Sequence, residues 1–331
     1  MHEPGFWWRK AGPMAALLSP LAALYGLVAA RRMAQGGARV GVPVICIGNF
    51  TLGGAGKTPT AIAVAHMLQA AGERVFFLTR GYGGSNAGPK RVDVHADTAA
   101  AVGDEALLLA RAAPTVVARD RVAGAAIAKA EGASVIVMDD GLQNGSLRKD
   151  FALAVVDGRR GIGNGRVFPA GPLRAPLVAQ LARIDALLVV GDAEAARDVA
   201  GAAAGRRLPV WHGRLAPHPE TAGAIARPVL AFAGIGDPEK FFATATAAGI
   251  DVVARRAFPD HHRFTAEEAA ELLMAADSEA LALLTTEKDR ARMTGDPALS
   301  ALMERAHVLP VTMEIEESAE LAAALTKARR R

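Results

Sequence analysis

Residues 41–60, Gly-Val-Pro-Val-Ile-Cys-Ile-Gly-Asn-Phe-Thr-Leu-Gly-Gly-Ala-Gly-Lys-Thr-Pro-Thr, constrain the fold of this 331-residue chain more than any other stretch. The apolar, β-branched run from Val42 to Ile47 predicts a buried strand. A glycine-rich loop follows and ends in Gly56-Lys57-Thr58, after which Ala61, Ala63, Val64, Met67 and Leu68 recur at a helical period. The order is strand, phosphate loop, helix. Glycines let backbone N–H groups close around phosphate oxygens, the helix N-terminus adds partial positive charge, and Lys57 supplies a formal one. Thr58 is placed to offer its hydroxyl to Mg²⁺. Pro59 suits a first helical turn, where its missing N–H has no partner to lose. The general pattern G-x-x-x-x-G-K-[ST] begins with glycine, and Thr51 stands at that position.

Composition narrows the class. The net charge of +4 is mild and the arginines are scattered, unlike the clustered basicity of a nucleic-acid binder. The single cysteine, Cys46, falls inside the first predicted strand, so there is no disulfide framework, and a reducing compartment is the default. Residues 11–30 carry no charge. Phe6, Trp7, Trp8, Arg9 and Lys10 precede them, and Arg31 and Arg32 follow. As one helix the run would reach about 30 Å, but Pro13 and Pro20 count against an unbroken span. The expectation is a helical anchor lying in the membrane interface, with Trp7 and Trp8 at headgroup depth.

Beyond the loop, the apolar segments Val75–Leu78, Val135–Met138, Leu153–Val156 and Leu187–Val190 alternate with alanine-rich amphipathic stretches. This is the rhythm of a parallel sheet covered by helices. A proline- and glycine-punctuated stretch, Leu208 to Pro228, reads as a linker, and the rhythm restarts at Val229–Ala233. The expected fold is α/β: a P-loop NTPase-like parallel-sheet domain plus a second, smaller α/β domain, with an N-terminal membrane-associated helix. The expected bounds are 1–38 for that helix, 39–210 for the P-loop domain, 211–228 for the linker and 229–331 for the C-terminal domain.

Several short constellations carry chemistry. Asp139 and Asp140 end an apolar strand, where a P-loop fold places a carboxylate on Mg²⁺, directly or through water. Asp104, in Gly103-Asp104-Glu105, opens a helix; it reads equally as an N-cap and as a general base for an acceptor hydroxyl. In Asp260-His261-His262, neighbouring side chains on an extended segment point opposite ways, so one histidine at most faces a site. Arg80-Gly81-Tyr82-Gly83-Gly84 follows the second predicted strand, at the sheet edge where α/β folds bind ligands. The loop Arg166 to Arg174, with its glycines, prolines and isolated arginines, suits phosphate grasping.

Together these segments resemble the tetraacyldisaccharide 4′-kinases, the lipid A 4′-kinases of Gram-negative bacteria. The resemblance runs through Gly48–Pro59, Arg80–Gly84, Gly103–Glu105, Asp139-Asp140-Gly141-Leu142-Gln143 and Phe168–Arg174. It continues through Gly234–Pro238, Phe258–His262 and Thr286-Glu287-Lys288-Asp289. The family pattern itself carries threonine at the position of Thr51.

The resemblance implies transfer of the ATP γ-phosphate to the 4′-hydroxyl of tetraacyldisaccharide 1-phosphate, giving lipid IV-A at the cytoplasmic face of the inner membrane. It implies ATP and Mg²⁺ as cofactors, the lipid substrate and the membrane surface as partners, and neither nucleic acid nor an obligate protein partner. Asp104 takes the role of base, paired with His261 or, as the alternative, His262. Thr51, Leu52, Gly53, Gly54, Ala55, Gly56, Lys57 and Thr58 form the nucleotide loop, Lys57 also being catalytic. Thr58, Asp139 and Asp140 hold the metal, and Arg80, Tyr82, Arg119, Gln143 and Arg174 are candidates for substrate contacts. A switch or partitioning ATPase is the main rival, but Leu52 stands where such loops carry an extra lysine. Thr286-Glu287-Lys288-Asp289 does not fit the guanine-reading pattern of a GTPase.

Overall fold

The computed structural model describes residues 3–225 and 227–329. Met1, His2, Ala226, Arg330 and Arg331, which fall within the expected segments 1–38, 211–228 and 229–331, lie outside the described residues. Eight strands come first: β1 (Val44–Gly48), β2 (Val75–Thr79), β3 (Lys90–Arg91), β4 (Thr115–Val117), β5 (Val135–Asp139), β6 (Phe151–Asp157), β7 (Ala186–Val190) and β8 (Val210–Pro217). They are followed by β9 (Val229–Ala233), β10 (Val252–Ala257), β11 (Ala282–Thr285), β12 (Ala306–Val308) and β13 (Val311–Ile315).

The larger sheet has the order β13-β8-β7-β6-β1-β5-β2-β4-β3. Its strands from β8 to β4 run parallel, and β13 and β3 close the two edges antiparallel. Both faces are covered, so the central strands read as continuous apolar runs rather than alternating ones. Cys46, Phe76, Leu78 and Met138 enter one core. Ile45, Ile47, Phe77 and Val137 enter the other, together with Val64 and Leu68 of the helix Lys57–Ala70. Successive residues of each strand thus serve opposite layers. Cys46 is buried, and that burial pushes its thiol up to about 11, as suits an inert structural cysteine.

The smaller sheet, β10-β9-β11-β12, is parallel throughout and has its own cores around Phe232 and Phe242. The chain is therefore α/β with two parallel-rich sheets, in line with the expected class. The stretch expected as a linker is more ordered than its composition suggests. β8 pairs with β7, and Trp211 is buried and stacked on Phe151 with ring centres 6.5 Å apart. After β12 the chain returns: β13 pairs with β8, and the helix Ser318–Arg329 sends Leu321 and Leu325 into the larger sheet's core. The residues from 311 onward thus pack with the first sheet rather than with the rest of segment 229–331. The reason is a local sequence signal too short to separate a returning strand from one that continues the second sheet.

The N-terminal helix runs unbroken from Pro13 to Met33, through Pro20. Pro13 occupies the first turn, and Pro20 removes only one backbone bond without ending the helix. Ala15, Ala22, Gly26 and Met33 face the protein, while Leu17, Leu21 and Leu24 are 75%, 61% and 63% exposed. The helix is long and apolar enough to cross a membrane by length and composition. Trp7 departs from the expected headgroup position. It is buried, donates from Nε1 to the Pro169 carbonyl at 3.0 Å, and meets the Phe168 ring edge to face at 6.0 Å. An indole with an internal hydrogen-bond partner needs no lipid interface to satisfy its N–H.

Phe77 is fully buried between the central strands and the phosphate-loop helix. Phe77→Ala should destabilise the fold by about 3–5 kcal/mol, seen as a lower urea midpoint at unchanged slope.

Candidate active site

The loop after β1 is held open by its neighbours rather than by its own contacts. Gly56 has φ 88°, a left-handed conformation that glycine adopts without strain, and it turns the chain into the helix Lys57–Ala70. Asn49 Nδ2 donates to the Gly53 carbonyl at 3.2 Å. From outside, Leu52 N donates to the Pro172 carbonyl and Arg174 N to the Phe50 carbonyl, both at 2.8 Å. The loop Phe168–Arg174 is thereby laid along the phosphate loop, which the sequence did not reveal. Leu52 to Thr58 line an open cavity of about 2070 Å³ between the two sheets. Thr51 lies behind it, bridged to Leu173, with its carbonyl accepting from Arg174 Nε at 2.8 Å.

Lys57 is buried, with Nζ 3.8 Å from Asp140 Oδ1. Arg174 donates to the same oxygen at 2.7 Å. Burial alone would raise the Asp140 carboxyl, but Arg174 and Lys57 hold it well below the usual carboxylate range. Asp139 behaves the opposite way. Its Oδ2 accepts from the Thr58 hydroxyl at 3.5 Å, and its buried Oδ1 has no hydrogen-bond partner among the described residues. Burial, then Glu105 and Asp140, push Asp139 up to about 7. A buried carboxylate oxygen left unpartnered beside a threonine hydroxyl, with neighbouring carboxylates disfavouring its charge, fits a hard divalent cation. Asp140 instead spends one oxygen on two cationic side chains.

Asp104 is the buried first residue of the helix Asp104–Ala112, whose next residue, Glu105, lines the cavity. It is not the cap: Gly103 is, with φ 91° and so little room that an added Cβ would meet the Tyr82 carbonyl oxygen at 2.5 Å. Asp104 Oδ1 accepts from Glu105 N at 3.0 Å. His261 Nδ1 lies 3.6 Å from Asp104 Oδ2, and its other ring nitrogen lies 3.7 Å from Asp260. Arg292 Nε donates to Asp104 Oδ2 at 2.7 Å. Burial opposes the charge of Asp104, yet His261 and Arg292 hold its carboxyl well below the ordinary range, so it is ionised at neutral pH. His262 points away. Its Nε2 is 2.8 Å from Glu268 and its ring stacks on Phe258 at 4.8 Å. Of the two histidines, only His261 meets Asp104.

The remaining candidates divide. Arg80, Tyr82 and Arg119 are exposed and line the cavity, and neither arginine has an ion pair among the described residues. The Tyr82 ring lies 5.0 Å from that of His261. Gln143 also lines the cavity, but its Nε2 donates to the Asn49 carbonyl and to Gln180, both at 2.8 Å, which braces the phosphate loop. Three residues escaped the sequence reading. Arg121, 3% exposed, is close enough to Asp139 and Asp140 to feel both charges. Lys288 donates to Glu105 at 2.8 Å, and Arg292 reaches Asp104 from the same helix. The signal available for the last two was their i,i+4 spacing, which puts both cations on one helical face.

The cavity is therefore lined by a cationic loop able to receive a phosphate chain and by His261, with the buried carboxylates of Asp139 and Asp104 next to Thr58 and His261 respectively. The family model described as tetraacyldisaccharide-1-P 4′-kinase matches residues 14–330. A tetraacyldisaccharide 4′-kinase of Methylobacterium sp. (strain 4-46) is 58% identical over 312 residues, 94% of each chain. One from Rhodopseudomonas palustris (strain BisB18) is 54% identical over 97% of this chain and 94% of its own. The crystal structure of "apo" form LpxK from Aquifex aeolicus in complex with ATP superposes with a TM-score of 0.73 at 25% identity, covering 95% of this chain and 99% of that one. The chain belongs to the tetraacyldisaccharide 1-phosphate 4′-kinase family.

Proposed function

We propose that the protein transfers the γ-phosphate of ATP to the 4′-hydroxyl of tetraacyldisaccharide 1-phosphate, forming lipid IV-A at the cytoplasmic face of the inner membrane. The observation that carries this reading is the Asp104–His261 pair, whose histidine lines the same cavity as Lys57 and Thr58 while the buried Asp104 lies against it. A sugar hydroxyl is a poor nucleophile near neutral pH. Asp104 accepts its proton as the bond to phosphorus forms, and His261 orients that carboxylate. The phosphate chain lies along Leu52 to Thr58, where loop N–H groups and Lys57 offset its charge. Thr58 and Asp139 would hold Mg²⁺, which would supply charge neutralisation at the transferring phosphate, with Asp140 behind them setting the position of Lys57 and Arg174. Arg80, Tyr82 and Arg119 meet the polar part of the acceptor. The two sheets act as two domains whose facing sides supply the two halves of the site.

An acceptor with four acyl chains stays in the bilayer, so the enzyme has to work at its surface. The helix Pro13–Met33 lies on the membrane through Leu17, Leu21 and Leu24, with Arg9, Lys10, Arg31 and Arg32 at headgroup level.

With γ-labelled ATP and tetraacyldisaccharide 1-phosphate, label should appear in a bis-phosphorylated lipid on thin-layer chromatography. ATP hydrolysis without labelled lipid would overturn the kinase reading in favour of a switch ATPase. In the same assay Asp104→Asn should lower turnover by roughly 10²–10⁴-fold with ATP affinity unchanged; an equal loss of ATP binding would assign Asp104 to structure or metal instead. Asp139→Asn should abolish the added thermal stability that Mg²⁺ confers in the presence of ATP, while raising the melting temperature of the free protein, because a buried charge is removed. The pair Leu21→Glu and Leu24→Glu should reduce co-sedimentation with anionic phospholipid vesicles and leave ATP binding in solution intact.

A further inference from the structure

The segment Thr286-Glu287-Lys288-Asp289 contributes no residue to the scheme above, yet its helix, Glu287–Met293, is the nearest part of the smaller unit to Asp104. We propose that this helix places the base, with Arg292 as the positioning residue of Asp104 and Lys288 as its companion on Glu105. The inference rests on the reading of Asp104 as base.

The contact is closed to solvent on both sides: the Arg292 side chain is 6% exposed and that of Asp104 4%. Arg292 is itself aimed before it reaches Asp104. Its NH1 donates to the Gly234 carbonyl, just past the end of β9, and to Asp289 Oδ1 at 2.9 Å. Asp289, fully buried, is in turn fixed by the Thr286 hydroxyl at 2.7 Å and by Gly234 N at 3.1 Å. The guanidinium is thus tied to a strand end and a helix start of the smaller sheet and cannot follow Asp104 if that residue moves. One turn earlier, Lys288 takes Glu105 at 2.8 Å. Two adjacent carboxylates at one helix start therefore receive two cations spaced i,i+4 on another.

The choice of oxygen separates positioning from an ordinary ion pair. Arg292 Nε and NH2 both address Oδ2, at 2.7 and 2.5 Å, and His261 approaches that same oxygen. Oδ1 keeps only the bond from Glu105 N. Since each carboxylate oxygen has two lone pairs, Oδ1 retains one for the acceptor's proton, while the cationic groups gather at Oδ2. His261 and Arg292 both come from the smaller unit, so the base is assembled only when that unit is in place. The charged groups facing Asp104 are Arg292, Lys288 and Asp289 from the helix Glu287–Met293, His261 from the loop after β10, and Glu105 from its own helix. Loss of Arg292 leaves a more basic and less fixed carboxylate.

The test is the pH dependence of lipid phosphorylation by the full-length enzyme, with kcat and the KM for ATP separated and thermal midpoints recorded. Arg292→Met should lower kcat by roughly 10²-fold with little change in KM. It should also move the acid limb of the kcat profile upward by about one pH unit, as loss of an adjacent opposite charge requires. Arg292→Lys, which keeps the charge, should hold the limb at its wild-type position and restore part of kcat. A folded Arg292→Met enzyme with an unmoved limb overturns the inference, and so does an Arg292→Lys limb displaced as far as that of Arg292→Met. If Arg292→Met does not fold, Lys288→Met, at a side chain 29% exposed, reads the same limb. A smaller upward move supports the inference, and no move overturns it. Asp104→Asn with full turnover would defeat the base itself; Asp104→Asn inactive beside an unmoved Arg292→Met limb would defeat only the positioning role.

Discussion

The seam of opposite charge between the Asp104–Ala112 helix and the Glu287–Met293 helix is the constraint on which the rest of the molecule depends. Asp104 with Arg292, and Glu105 with Lys288, join two sheets whose main hydrophobic cores are separate, beside a small shared cluster in which Ala291 packs with Val102, Leu107 and Leu108. Buried ion pairs are poor general stabilisers, because removing both charges from water offsets much of their attraction. Their use here is geometric. Each carboxylate leaves a helix start of one unit and meets a cation held on a helix of the other, which fixes how the two units face each other across the cavity. A second pair of contacts, Lys240 with Asp157 and Arg159 with Asp237, ties the units on another side of the same opening.

The phosphate loop depends on a comparable division of labour. Its glycines supply the backbone freedom, but its position comes from Pro172, Arg174 and Gln143, which bond to it from outside, and from Asn49, which bonds to Gly53 within it. Charge around it is unevenly shared. Asp140 is neutralised by Lys57 and Arg174, whereas Asp139 is buried with one oxygen unpartnered. That asymmetry gives two adjacent aspartates different chemistry: one organises cations, the other is ready for a metal. The proposed kinase needs both, since a phosphate chain brings more negative charge into a site that already holds Asp104, Glu105, Asp139 and Asp140.

The N-terminus packs beside the phosphate loop. The exposed leucines of the Pro13–Met33 helix look outward, while the preceding residues fold back onto the protein. Trp7 closes on Phe168 and Pro169, and Trp8 Nε1 donates to Glu3. Glu3 also receives Arg160 at 3.0 Å and lies against Gly53 of the phosphate loop. The Pro13–Met33 helix is therefore not a detached tail: the segment before it packs against the loop that follows β1.

Local physics made much of this legible in advance. The apolar runs of β1, β2, β5 and β7, the glycine loop and its helix and the buried Cys46 all follow from periodicity and backbone sterics, which act within a few residues; His261 and His262 diverge not as neighbours on an extended segment, as expected, but through a turn in which His261 has φ 58°. The strand β8, the return of β13 to the first sheet, the burial of Trp7 and the arrival of Arg292 at Asp104 do not follow from such local rules. Each depends on what another part of the chain, tens to hundreds of residues away, presents at that point. A lone arginine in a helix reads the same whether solvent or a buried aspartate lies opposite. Sequence alone determined the fold class, the phosphate loop and the residues capable of the chemistry, because those are encoded by short-range geometry. Only the tertiary structure decided which of them meet, because burial and charge pairing belong to the assembled surface between the two sheets.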